Sequence, residues 1–388
     1  MKPAKKLIIG SILLTTLGFF WLREPALSPE AEVWLEAARK PESDNSIYDS
    51  YFEWAGIEAE NGADTRAVGK RIVDDFINSN EGSQYIKTYP ILPDSFANTE
   101  LSDLIVLPDE QIEKLLKDND IFIQRYNKLL KNPVILLGHW GSSSYIPKIE
   151  NLKNAQKLQW LSWAHQLRNT TVNSTVNSEI ENNFIALQQQ IKTSDFLLGK
   201  MIFNVLLKEH LFFHQQLQKS GFSIVNKYPL LDTKSRSLNN ILEYEFYSSK
   251  ELLSSFKQQK DTNNKIDLSE NSNKMLDILF KPNFLLNQQQ KAYATIAMLS
   301  EEKPHVILSA KHEEVSIPPL AKWTAFYDPL SHIISQIKTP SYRPYMLRLL
   351  ETNCLIDSFN YTEGTEISVK ASSLEYCHTY TWKDANYR

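Results

Sequence analysis

Glycine is scarce in this chain, at 11 residues in 388, and two of them, Gly10 and Gly18, lie inside one apolar run. Phosphate-cradling loops and dinucleotide folds depend on glycine clusters, because only glycine lets backbone amides come close to a phosphate. Neither G-x-G-x-x-G nor G-x-x-x-x-G-K-[ST] occurs. The shortage disfavours a nucleotide-binding enzyme and fits a helix-rich chain. Cysteine is scarcer still, with only Cys354 and Cys377, both near the carboxyl end. In an oxidising compartment the two form a plausible pair. Closing a loop of about 24 residues adds on the order of 3 kcal/mol by chain entropy. Two buried free thiols are the other reading.

Long apolar runs are absent except for one. It is opened by Leu7 and closed by Leu22, is preceded by Lys2, Lys5 and Lys6, and is followed by Arg23. A helix needs roughly 20 apolar residues to cross a bilayer. Residues 7–22 fall short of that, but Ala4 and the reach of Lys6 and Arg23 extend the span. Phe19, Phe20 and Trp21 sit where aromatic rings favour the water–lipid boundary. The competing reading is a cleaved secretory signal. Small residues do follow, at Ala26 and Ser28, but Pro29 disfavours cleavage after Ser28. Both readings export residues 24–388. The expectation is a single-pass anchor in the inner membrane, with the lysines cytoplasmic by the positive-inside bias and the rest periplasmic.

An excess of positive charge is also missing. Of 42 basic residues, four lie in the first 23, where there is no acid. The exported part keeps 38 basic against 46 acidic residues, a net of −8. That argues against a nucleic-acid partner, which calls for a basic face. Hydrophobic content of 42% and charged content of 23% describe a folded globular chain.

What is present is helical periodicity. Ser28 and Pro29 read as the N-cap and first position of a helix over 29–40. A second helix starts near residue 44, and a third spans 65–80. Pro108, Asp109 and Glu110 open one that runs to about residue 131. Further helices are predicted over 152–167, 240–258, 275–280 and 285–299. The longest pattern, 179–219, predicts a central helix of about 40 residues. Residues 306–310 and 367–382 read as strands. The predicted class is mainly α: a transmembrane helix, then an irregular multi-helix domain, then a small mixed α/β cap. The expected domains are 1–28, 29–302 and 303–388.

Two stretches carry a resemblance. Asn45-x-x-Tyr48, then Gly56-Ile57-x-Ala59-x-x-Gly62-x-Asp64 and Gly69, resembles a pattern in uncharacterised, membrane-anchored helical proteins of proteobacteria. Lys281-Pro282-Asn283 with Leu286-Asn287 resembles a Pro-Asn-aliphatic-Asn element farther along in the same group. The match covers about a tenth of the chain. It implies an envelope protein and transfers no active site.

Candidate chemistry is thin. His210 and His214 stand one turn apart on one helix face, a spacing that can hold a metal, but no acid lies between them. The plain reading is a polar helix edge. Gly138-His139-Trp140-Gly141-Ser142 follows an apolar run as in a serine hydrolase, yet lacks the G-x-S-x-G order. Ser254-x-x-Lys257 matches the nucleophile pair of penicillin-recognising enzymes. Its accessory Ser43-Asp44-Asn45 precedes it, however, and Lys338-Thr339-Pro340 has proline for glycine. His305 and His312-Glu313-Glu314 point to opposite faces of a strand. Asn169, Asn173 and Asn360 begin glycosylation sequons, by-products of a polar composition.

No catalytic set coheres, and no cofactor is expected. The leading expectation is an anchored envelope protein that acts through a protein partner, as a scaffold or assembly factor. The alternatives are an envelope hydrolase or metal-dependent enzyme using His210 and His214, and a small-ligand carrier lined by aromatics such as Trp34, Phe52 and Trp163.

Overall fold

A computed structural model of the chain describes residues 24–38, 49–77, 88–134, 147–169, 174–222, 224, 227–262, 280–311, 319–322, 328–335, 341–365 and 367–379. These residues are mainly helical, with no β-strand among them. The apolar run with Leu7, Trp21 and Leu22 lies outside them, and no described helix is long and apolar enough to cross a membrane.

In chain order the α-helices are α1 (Pro29–Ala38), α2 (Asp49–Ala55), α3 (Thr65–Ile77), α4 (Leu101–Ile105), α5 (Asp109–Asp118), α6 (Asp120–Lys131), α7 (Ile149–Asn169) and α8 (Ser174–Thr193). They continue with α9 (Leu197–Lys219), α10 (Thr233–Arg236), α11 (Asn239–Thr262), α12 (Pro282–Glu301), α13 (Pro304–Ser309), α14 (Pro329–Ser335), α15 (Arg343–Tyr361) and α16 (Glu375–Thr379). The chain divides into two compact units. Unit 1 takes 1–40, 242–296 and 311–342; unit 2 takes 41–241, 297–310 and 343–388.

In unit 1, helix α1 begins as its sequence predicts. The Ala31 amide donates to Ser28 Oγ at 3.1 Å, and Pro29 opens the first turn, where its missing N–H costs nothing. Trp34 meets Phe246 of α11 edge to face at 6.1 Å. The first turn of α12 carries the Pro-Asn-aliphatic-Asn element, which holds residues 24–28. Asn283 Nδ2 donates to the Pro25 carbonyl at 3.1 Å, and Asn287 Nδ2 to that of Ala26 at 2.9 Å. In return the Ser28 amide donates to Asn287 Oδ1 at 2.8 Å, and the Asn283 amide to Glu24 Oε1 at 3.0 Å. A segment without regular secondary structure thus has one backbone amide and two carbonyls bonded by two side-chain amides.

Unit 2 starts with a tight pair of helices. Asp64 Oδ1 accepts from the amides of Arg66 and Ala67 and so starts α3. A Cβ at Gly69 would lie 1.8 Å from the Phe52 carbonyl oxygen, and one at Gly56 would lie 2.0 Å from that of Thr65. Both glycines are there because α2 and α3 touch backbone to backbone. Arg125 of α6 covers the turn between them, donating to the carbonyls of Ile57 (3.0 Å), Ala59 (2.6 Å) and Glu60 (2.9 Å).

Three expectations need correction. The helix from residue 108 to 131 is two, α5 and α6, split at Asn119. Its buried amide donates to the Ile91 carbonyl at 2.8 Å and accepts from the Ile91 amide at 2.7 Å, tying the helix break to a distant loop. The central helix of 179–219 is also two, α8 and α9, which pack against each other. The break at Ser194, Asp195 and Phe196 is stabilised by Ser194 Oγ donating to the Phe196 carbonyl at 3.0 Å and by Lys200 Nζ donating to that of Ile191 at 2.8 Å. Finally, the described part of 303–388 is not a mixed cap. Residues 304–309 form α13, on which only Ile307 is buried. A short apolar run of this kind suits a strand or a helix equally. Past residue 367 the backbone folds back onto α15 rather than beside a strand. Asp357 Oδ2 accepts from the Ser373 amide at 2.6 Å and from the hydroxyls of Ser372 and Ser373 at 2.8 and 2.9 Å. Cys354 of α15 and Cys377 of α16 are disulfide-bonded, with Cα atoms 5.9 Å apart.

Candidate functional site

Helix α9 organises the interior of unit 2, and it does so with polar residues. Lys200, Asn204 and Lys208 recur every fourth position and so share one face. All three are buried. Burial lowers the Lys200 ammonium to about 7, because the charged form loses its hydration. Asn204 Oδ1 accepts from Thr352 Oγ1 of α15 at 2.8 Å. Lys208 pairs with Glu351 of α15 at 2.5 Å. A quarter turn round, Glu209 meets Lys153 of α7 at 2.7 Å, yet burial still raises its carboxyl above the ordinary range.

His210 and His214 close the line. Both are 0% exposed. They converge on one hydroxyl, that of Tyr228, at 3.3 Å from His210 Nε2 and 2.6 Å from His214 Nδ1. Tyr228 stacks on Phe184 with ring centroids 4.1 Å apart, Trp160 stands edge-on to His210 at 4.7 Å, and Phe359 lies 4.8 Å from His214. In this aromatic shell both imidazoles are neutral. Burial lowers His210 well below its ordinary value, helped by His214, and lowers His214 to about 4. Among the described residues no group of three or more His, Cys, Asp or Glu side chains is placed to hold a metal. A phenol shared by the two imidazoles ties the irregular segment that carries Tyr228 to α9. With no exposed edge, neither imidazole can reach a substrate.

The same aromatic core backs an open cleft. Residues of α6 (Asn127, Leu130, Lys131), α7 (Gln159, Trp163) and α8 (Glu179, Asn182, Asn183, Ala186) enclose about 330 Å³. Trp163 is the link: it stands edge-on to Trp160 at 5.0 Å, and its indole N–H donates to Glu179 Oε2 at 2.9 Å. Asn127 Nδ2 donates to Gln159 Oε1 at 2.6 Å, and Asn183 lies against the buried Tyr126 hydroxyl. The cleft therefore presents four side-chain amides, one carboxylate and one ammonium around a small apolar floor.

Comparison with known proteins gives no matching family model, curated protein or solved structure.

The other sequence candidates fall apart or fall outside. His139, Ser142, Ser43, Lys338, His312 and Glu313 lie outside the described residues, as does the Lys257 side chain. His305 sits on α13. Trp34 belongs to unit 1, and Phe52 and Trp163 belong to unit 2. Of the three proposed carrier aromatics, only Trp163 lines the cleft. Tyr228 was not legible as the partner of the histidines, since it lies in an irregular stretch between helices. The amides of Asn127, Gln159, Asn182 and Asn183 had no signal beyond ordinary helix surface.

Proposed function

We propose that this is an envelope protein anchored in the inner membrane by its amino-terminal apolar run, with its helical units in the periplasm, where they act through a protein partner. The observation that supports this is the Asn283–Asn287 clamp. It takes the chain from Glu24, one residue beyond Arg23, and ties it to α12 through four hydrogen bonds. The folded unit thus begins at Glu24, directly after the apolar run and Arg23, as a short-tethered anchored domain would. The net charge of −8 on residues 24–388 fits a protein partner better than an anionic surface.

Alkaline extraction of membranes, followed by in-cell crosslinking and mass spectrometry of the full chain, tests the reading. Retention in the membrane pellet with a recurrent, stoichiometric envelope partner is expected. Release into the alkaline supernatant would refute the anchor. Turnover of an envelope substrate, abolished by one polar substitution, would replace the partner role with an enzyme.

A further inference from the structure

We infer that the cleft among α6, α7 and α8 binds a short, neutral saccharide. Its chemistry is selective in three ways. Lys131 and Glu179 both line it, so a ligand of either net charge meets a like charge as well as an opposite one. The amide of Asn182 offers both donors and an acceptor, and Asn127 and Gln159 add one acceptor and one donor between them. Hydroxyl groups, which also do both, can answer every one of them, whereas an extended peptide presents its groups along a backbone edge and is matched by a strand. The floor of Leu130, Ala186 and Trp163 gives apolar contact to the C–H face of a sugar ring. The free valences are in place. Asn127 and Gln159 use one donor and one acceptor on each other, and Glu179 uses one oxygen on the indole, which leaves Asn127 Oδ1, Gln159 Nε2 and Glu179 Oε1 for a ligand. Asn182 is exposed and has no hydrogen-bond partner among the described residues. About 330 Å³ is at the lower end of ligand sites, enough for one or two rings.

The test is saturation-transfer NMR on the full chain, in lipid nanodiscs if it stays with the membrane and in buffer if it does not, with cellobiose, N,N′-diacetylchitobiose and the neutral peptide trialanine as separate probes at millimolar concentration. Transfer to ring protons of at least one disaccharide is expected. Asn182→Ala should weaken it about fivefold, the loss of one hydrogen bond. Because Asn182 is exposed, the variant keeps its melting temperature. Lys219→Ala, at the far end of α9, should leave the signal unchanged. Silence of both sugars with folded protein would overturn the inference. So would transfer that Asn182→Ala leaves intact, or transfer to trialanine alone. The result is independent of the anchor: a chain released by alkaline extraction would sink the membrane reading and leave sugar binding standing.

Discussion

His214 Nδ1 lies 2.6 Å from the Tyr228 hydroxyl, and that same oxygen lies 3.3 Å from His210 Nε2. Two neutral imidazoles on one helix thus share one phenol from the irregular segment that follows. Because both histidines fold as neutral groups, unit 2 binds fewer protons folded than unfolded in mild acid.

The pH dependence follows from that difference. An unfolded histidine titrates near 6.5, and His214 is held at about 4 in the fold, with His210 also far below its ordinary value. Their contribution is complete above pH 6.5 and is lost as the pH falls from 6.5 towards 4. Urea midpoints by circular dichroism should therefore drop over this window. His210→Gln with His214→Gln should flatten the dependence. Tyr228→Phe, which leaves buried nitrogens unpaired, should cost about 1–3 kcal/mol at pH 7.5.

Lys208 and Glu351 form a buried ion pair between α9 and α15. Removing one member strands the other charge in the core. Glu351→Gln or Lys208→Met alone should cost about 3–5 kcal/mol in chemical denaturation. Lys208→Met combined with Glu351→Leu should recover most of that loss, because an apolar pair of similar volume avoids desolvation altogether. A double variant no better than the single ones would mean that the pair itself carries the stability.

A Cβ on Gly69 would lie 1.8 Å from the Phe52 carbonyl oxygen, far inside contact distance. Backbone cannot move aside as a side chain can. Gly69→Ala should destabilise unit 2 by about 3 kcal/mol or more, read as a lower urea midpoint. Gly62 has nothing within 4 Å of a Cβ but sits at φ +80°, so Gly62→Asn should be tolerated far better than Gly62→Val.

The Cys354–Cys377 bond closes a 23-residue separation and ties α16 to α15. Reduction, or Cys354→Ala with Cys377→Ala, should lower stability on the order of 3 kcal/mol. Thermal melts with and without reductant give the number, and the double variant should show no reductant effect.

The mainly helical class, the start of α1 at Ser28 and Pro29, the one pairing open to the two cysteines and the lack of both glycine-rich phosphate motifs are all legible in the sequence. These are local or compositional properties: a cap, a periodicity and a count need no knowledge of the rest of the chain. Only the tertiary structure decided where helices stop. Asn119 breaks a helix because its amide is needed at Ile91, and Ser194 to Phe196 interrupt another because α8 must turn back on α9. The carboxyl-terminal residues alternate like a strand, yet Asp357 gathers them onto α15. The same holds for the polar residues on helices. In the sequence, His210 and His214 read as a polar helix edge; in the fold they are buried beside Lys200, Asn204 and Lys208, whose partners are the Ile191 carbonyl, Thr352 and Glu351. A polar group can be buried only where a partner meets it, and partners more than a few turns away leave no periodic trace. The cleft is subject to the same limit, since amides from three helices become one surface only when those helices pack together.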